Sequence, residues 1–502
     1  WKLIVVIALD NLLLWIITII TTLDKRDGEM TFRYVYQYLN CTQPCFRLWI
    51  SSLTDESVRQ GMENLKPDSC YDSLFLAADS RNKADWILGI NASYAMCKAT
   101  GLGNNSLGRV QTPVLAAISR RYRERENHIS SDSWPIYISL QKDGILFKMR
   151  RTQDLPDKES ATMFFQDCKL AHQAQITGIS HSVKEILPPD LLDLTQLQKE
   201  ANIRYGYTAS EVYDIAQSLY EKKLISYPRT SSRYLTEDVF DSLSPIMTRL
   251  LSWELFPVAK GTGGIDISSL SRHVISAEKA NVHHAIIITG IRPGNMSEKE
   301  MQVYRLVAGR MLEVFMAPCR IETTNVEAVC AAQHFKAEQT RIIEAGWHDV
   351  FMHSDMIPTS GYSVKELPEV EKGDTLNVCG CNMVHKKQLP VDPFTDAELV
   401  EYMELNGLGT VSSRTNIIRT LVNRKYIRYS GKYIVPTPKG MFTYETIRGK
   451  KIADTSLTAD WEKQLTGLES GMITGQDFLN RIRTLAKEMT DDIFNTYSTK
   501  EE

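Results

Sequence analysis

Residues 195–235 read TQLQKEANIRYGYTASEVYDIAQSLYEKKLISYPRTSSRYL, and the rest of the 502-residue chain is placed by its distance from this stretch. Two helices are predicted in it. Thr195 with Gln198, and Thr208 with Glu211, have the spacing of capping boxes. After the second, Val212, Ile215, Ala216 and Leu219 share one face, so that helix packs inward and delivers Tyr227 at its C-terminal side. Pro228 biases Tyr227 away from the α region, into an extended or turn segment. Arg229, two residues on, projects from the same side of an extended backbone. A phenol with an ordinary pKa of about 10 attacks a phosphodiester only if its proton is taken or the developing charge is stabilised. A guanidinium with a bidentate fork suits the phosphate part of that task. Taken alone, Tyr-Pro-Arg-Thr is more often a surface string, so the remaining motifs carry the decision.

Working outward, composition sets few limits. Hydrophobic residues make up 43% of the chain, ample for several buried cores. The formal net charge of −3 neither supports nor excludes nucleic acid, because a local basic stripe is what binds phosphate. Nine cysteines are scattered with Cys379 and Cys381 the nearest pair, and no CxxC pair is present, so no zinc site is expected. Reduced cytoplasmic thiols follow as the default. Trp1 to Leu23 is apolar but interrupted by Lys2, Asp10 and Asn11, leaving Leu12 to Ile20 as the longest clean run. Nine residues cannot cross a bilayer, which takes about 20, so a buried parallel strand is expected and no membrane association. No small-residue cleavage site follows, and the opening Trp1 fits a fragment of a longer chain.

The order of motifs resembles bacterial type IA DNA topoisomerases, in particular the topoisomerase III branch, which carry a string similar to YPRTDSR after such a helix. Here it is YPRTSSR, with Ser231 in place of the aspartate. TTLDKRDGEMTFRYVYQYL, Thr21 to Leu39, resembles the TOPRIM signature DxDxEGE or DxGREGE, in which carboxylates at a strand end hold Mg²⁺. Aligned on Gly28 and Glu29, the two signature aspartates fall on Leu23 and Lys25, and the family's first-strand glutamate lies before Trp1. The resemblance thus implies a damaged metal site resting on Asp24, Asp27 and Glu29. LWISSLTDESV (Leu48 to Val58) resembles the exit from TOPRIM. KADWILGINAS (Lys83 to Ser93) and SLGRVQTPVLAAI (Ser106 to Ile118) resemble two adjoining blocks where a single strand enters. There Arg109 is expected to reach DNA, with Asp85 and Gln111 in support, and Thr112 to cap a helix starting at Pro113.

From Trp134, IYISLQ and ILFKMR alternate around Asp143 and Gly144 as a β-hairpin of the arch. NVHHAIIITG (Asn281 to Gly290) resembles DHHAIIPTG and implies that His284 lies near Tyr227, charged and on phosphate. Glu298 to Phe315 reads as a closing helix. Thr395 with Glu398 predicts another capping box. VSSRTNIIRTLVNRKYI then places Ile417, Ile418 and Leu421 inward and Arg414, Arg419 and Arg424 outward, ahead of a hairpin turning at Ser430 and Gly431, a winged-helix texture.

The fold implied is a multidomain ring of α/β, α and β parts: a TOPRIM remnant (1–50), a base (51–130 and 386–490), a β-rich arch (131–190 and 319–385), a helical catalytic domain (191–318) and a tail (491–502). The function implied is ATP-independent breakage, passage and rejoining of single DNA strands through a 5′-phosphotyrosine at Tyr227, with Arg229 and His284 on the phosphate, Arg109 and Arg414 on DNA, and Mg²⁺ for resealing. No Walker loop occurs. Single-stranded or negatively supercoiled DNA is the implied partner, for a monomer in the bacterial cytoplasm at the nucleoid. The competing reading is a catalytically defective DNA-binding remnant of the family. A tyrosine relaxase or recombinase is weaker, since neither a histidine triad nor an Arg-His-Arg set is evident.

Overall fold

The computed structural model describes residues 4–7, 15–19, 25–48, 55–101, 103, 105–256, 265–267, 270–280, 283–351 and 362–498. Its first element is a four-stranded sheet in the order β1 (Ile4–Ile7), β2 (Trp15–Ile19), β3 (Cys45–Leu48), β4 (Lys66–Pro67). Helix α1 (Lys25–Tyr38) connects β2 to β3, which pair in parallel, so the isoleucine-rich run does supply a parallel strand. The side chains of that run, and Asp24, lie outside the described residues.

After α2 (Asp55–Glu63), the long helix α3 (Asp72–Thr100) ends at Gly101, whose φ of +65° is the left-handed conformation that glycine adopts without steric cost. Alanines dominate its buried face, at 77, 84, 92 and 95, and small side chains let neighbouring helices approach closely. The core they build with Trp461, Leu465, Phe478 and Ile482 comes from the far end of the chain. Helix α4 (Gln111–Glu126) follows. Thr112 lies inside it rather than capping it: its hydroxyl accepts the Gly108 N–H at 2.9 Å and closes the preceding turn.

A two-stranded ribbon, β5 (Asp132–Ser133) with a later strand at 386–387, leads into a closed barrel. Its strands are β6 (Ile136–Lys142), β7 (Ile145–Arg151), β8 (Gln173–Ile186), β9 (Cys319–Cys330), β10 (Gln333–Glu344) and β11 (Thr375–Met383), in the order β10-β7-β6-β11-β8-β9. The predicted hairpin is β6–β7, with Asp143 and Gly144 both at positive φ, as a two-residue turn between twisted strands requires. Helix α5 (Lys158–Leu170) covers the barrel. Strands β8 and β9 pair from Gln175 opposite Val329 to Ile186 opposite Cys319, although 132 residues lie between Ile186 and Cys319.

Those intervening residues form a helical unit with its own core. It contains α6 (Leu194–Tyr205), α7 (Ala209–Glu221), α8 (Glu237–Asp241), α9 (Leu243–Ser252), α10 (Ala277–Ala280) and α11 (Glu298–Glu313). The Thr208/Glu211 capping box is present. The one expected at Thr195 is not: Asp193 caps α6 by accepting the Gln196 N–H at 2.7 Å, and Thr195 is inside the helix. After the barrel come β12 (Lys386–Lys387), α12 (Asp396–Leu405) with its Thr395/Glu398 box, and α13 (Val411–Asn423). The hairpin β13 (Ile427–Ser430) and β14 (Tyr433–Pro436) completes a helix-plus-wing unit packed on α4. The chain closes with α14 (Pro438–Ile447), α15 (Ser456–Glu469) and α16 (Gly475–Ser498). A tail beginning at 491 is not what is seen, because α16 runs on to Ser498 and Ile493 is buried against the base core.

Candidate active site

Tyr227 follows α7 by six residues, in an irregular segment anchored two residues earlier by the bridge between Ile225 and Ile288. Ser226 ties that anchor down: its N–H donates to the Ile287 carbonyl at 2.8 Å, and its hydroxyl accepts the Ile287 N–H at 3.0 Å. Pro228 and Thr230 are buried on either side of Arg229. The Tyr227 ring is half-buried, edge-on to Tyr220 at 5.3 Å and tilted against His283 at 4.6 Å. Burial raises its phenol to about 12, with the Arg229 charge pulling the other way. At neutral pH it is a protonated nucleophile that needs help to attack.

Arg229 supplies a cation beside it. One Nη donates to Gln217 Oε1 at 3.1 Å, the guanidinium sits 4.9 Å from the Tyr213 ring centre, and its buried Nε has no partner among the described residues. Tyr213, Gln217 and Tyr220 were not singled out from the sequence. Their spacing of i, i+4, i+7 on α7 was the available signal, since it lines all three along one helix face.

The histidine against Tyr227 is His283, not His284. The His284 Nδ1 lies 2.7 Å from the Ala285 carbonyl, and burial lowers its pKa, so the expectation of a charged His284 on phosphate does not match its surroundings. His283 is lowered to about 4, by burial and then by the neighbouring His284, and its Nε2 has no partner among the described residues. A phosphate anion arriving there would favour the charged form and raise that pKa. Thr230 fixes the backbone at this point, its hydroxyl donating to the His283 carbonyl at 3.1 Å.

A groove of about 990 Å³ runs between α3, the loop before α4, and the start of α13. Asp85, Arg109 and Gln111 all line it, as do Trp86, Ile90 and Arg424. Arg109 is 7% exposed, paired with Asp85 at 2.8 Å and lying 4.8 Å from the Trp461 ring centre, while one buried Nη, 3.6 Å from Glu462, has no hydrogen-bond partner among the described residues. Gln111 accepts from Arg424 at 3.0 Å. Trp86, Ile90 and Tyr94 form an exposed stripe at i, i+4, i+8 along α3, with Trp86 67% exposed.

Arg414 is elsewhere. The outward projection expected for it is wrong: it is 8% exposed and donates to the Gly409 carbonyl at 3.2 Å, to Thr195 Oγ1 at 3.0 Å and to Glu404 at 3.3 Å. It joins α13 to the helical unit. Arg419 does the same through Ser210 and Asp214, so of the three arginines only Arg424 faces the groove.

Of the three N-terminal acids, Asp24 lies outside the described residues, and the surroundings of Asp27 and Glu29 do not fit a divalent cation. Glu29 is wholly buried, with Oε1 accepting from Arg33 at 2.7 Å and Arg47 at 2.8 Å and Oε2 accepting from Arg47 at 2.8 Å. Asp27 is paired with Arg81. Guanidinium groups occupy the lone pairs that a hard cation would need. Among the described residues no three His, Cys, Asp or Glu side chains converge as a metal site requires.

The family model for DNA topoisomerase matches residues 69–480. DNA topoisomerase 3 of Bacillus licheniformis is 31% identical over 500 residues, covering 95% of this chain and 68% of that protein. DNA topoisomerase 3 of Bacillus subtilis is 31% identical over 513 residues, covering 96% and 69%. Full-length topoisomerase I from Thermotoga maritima superposes with a TM-score of 0.70 at 22% identity, covering 94% of this chain and 77% of that one, which speaks for the fold. The barrel, the helical unit inserted between two of its strands and the split base are therefore the type IA architecture, and the chain belongs to the bacterial type IA DNA topoisomerase family, in its topoisomerase III branch.

Proposed function

We propose that this chain breaks, passes and rejoins single DNA strands through a 5′-phosphotyrosine at Tyr227, without ATP, and so relaxes negatively supercoiled DNA or decatenates it. The observation that carries this reading is the half-buried Tyr227 phenol flanked by Arg229 and His283, whose Nε and Nε2 have no hydrogen-bond partner among the described residues. Two unspent donors or acceptors beside a nucleophile are what a phosphodiester oxygen would satisfy.

Tyr227 Oη attacks phosphorus, the new P–O bond forms, and the bond from phosphorus to the upstream 3′-oxygen breaks. The phenol proton ends on that 3′-oxygen. Arg229 offsets charge on the phosphate oxygens, and neutral His283 is placed to accept or return a proton. One phosphodiester is exchanged for another, so the reverse attack by the 3′-hydroxyl reseals the strand without an energy source. Arg109 and Arg424 would hold the backbone in the groove, and Trp86 would stack a base. On this reading residues 191–318 are the catalytic domain, the barrel is the arch, and the protein acts as a monomer on single-stranded or negatively supercoiled DNA in the bacterial cytoplasm. The role expected for Mg²⁺ finds no support in Asp27 or Glu29.

That mismatch favours one second reading, a DNA-binding remnant that no longer cleaves. Incubation with a 3′-end-labelled single-stranded oligonucleotide, followed by denaturant trapping, separates the two. A labelled adduct lost in Tyr227→Phe supports the enzyme. Binding without an adduct leaves the remnant.

A further inference from the structure

We infer that Tyr213 is a positioning residue that holds Arg229 in place only while the helical unit is docked on α13. The inference rests on the reading of Tyr227 and Arg229 given above and goes one residue beyond it.

Tyr213 is on α7 and only 9% exposed, and two guanidinium groups lie over its ring. Arg229, beside Tyr227, is 4.9 Å from the ring centre. Arg419, on α13 of the opposing unit, is 5.7 Å from it. Arg419 is in turn fixed to the first turns of α7: it donates to the Ser210 carbonyl at 3.1 Å, to the Ser210 hydroxyl and to Asp214. The ring is therefore an element shared by the base and the nucleophile's arginine. A desolvated guanidinium over an aromatic face is held by the ring quadrupole, and the attraction weakens once water reaches the ring.

If the helical unit lifts away from α13, Arg419 leaves Ser210, Asp214 and the ring together. Tyr213 then meets solvent on the side that α13 had covered. Arg229 keeps Gln217 and the ring on α7, but with one side of that ring hydrated the attraction that fixes the guanidinium weakens. Cleavage and resealing would then run only with the two units closed, and a strand held open would be protected from attack on the tyrosyl phosphate. The coupling needs no ligand, because it is a property of where one ring sits.

Single-turnover adduct formation on a 3′-labelled oligonucleotide tests this, with the oligonucleotide Kd and thermal melting measured alongside. Tyr213→Leu and Arg419→Gln should each slow the adduct roughly tenfold with Kd unchanged. Tyr213→Phe, which keeps the ring, should restore the rate. The Tyr213→Leu/Arg419→Gln double variant should be no slower than Tyr213→Leu alone, because both act through one ring. Tyr213→Leu at the wild-type rate, with Arg229→Gln impaired, overturns the inference and leaves the function reading standing. So does a phenylalanine variant as slow as leucine, or losses that multiply in the double variant. A wild-type chain that forms no Tyr227-dependent adduct removes both.

Discussion

Replacing Asp396 with asparagine should strip a specific pH dependence from the junction between the base and the helical unit. Asp396 is 2% exposed at the first turn of α12, and one of its oxygens accepts both the Ala209 N–H at 3.2 Å and the Tyr429 hydroxyl at 3.1 Å. Burial raises its pKa from 3.8 to about 6, against the pull of those two hydrogen bonds. Because the folded value is raised, the extra stability of the protonated acid is complete below pH 3.8 and is lost as pH climbs through 6. At 1.36 kcal/mol per pH unit, the span is worth about 3 kcal/mol. Asparagine stays neutral and keeps an acceptor oxygen. Its unfolding free energy minus that of the wild type should therefore rise by roughly 2–2.5 kcal/mol between pH 4 and pH 7, the rest of the span lying below pH 4. Urea unfolding of both proteins at each pH gives that difference, and titration of all other groups cancels in it. A difference flat to within about 0.5 kcal/mol, or one that falls with pH, would refute the argument.

Three other outcomes follow from single features. His283→Gln should slow Tyr227 adduct formation by at least roughly tenfold, and His284→Gln by less, because only the His283 ring lies against Tyr227; equal losses in the same trapping assay would return the role to the pair. Arg47→Met should cost roughly 3–5 kcal/mol in urea unfolding of the N-terminal unit, since among the described residues it leaves the buried Glu29 with Arg33 alone. Gly440→Ala should cost roughly 3 kcal/mol, because a Cβ there would clash with the Tyr426 carbonyl oxygen and α14 would have to move off the bend before β13; unchanged melting would show that it moves freely.

Local features were legible wherever neighbours in sequence settle them. The alternation around Asp143 and Gly144 and the boxes at Thr208 and Thr395 needed only a few residues. Asp193 escaped because two capping candidates sit two residues apart, and only the backbone direction before α6 chooses between them. Arg414 looked solvated on a helical wheel, yet the surface it meets is Thr195 and Glu404, and a wheel carries no knowledge of a second unit. Glu29 matched an acidic signature, but Arg47, on the strand that follows α1, decides its chemistry. The two adjacent histidines could be ordered only by the segment that turns them, since residues one apart point in different directions. Tyr227 was placed near an arginine from spacing alone; the ring beneath that arginine was not.

The pairing of β8 with β9 also bears on how this chain is made. During synthesis β8 leaves the ribosome 132 residues before its partner begins. At typical elongation rates of 5–20 residues per second, that is a wait of roughly 7–26 s. Through that time a 14-residue strand offers open N–H and C=O groups to any passing chain, and Lys184 and Glu185 near its end are the sort of charges that discourage such encounters. The barrel must also wait for the whole helical unit, so a slow-folding variant of that unit would be felt first as aggregation through the barrel strands, far from the residue changed.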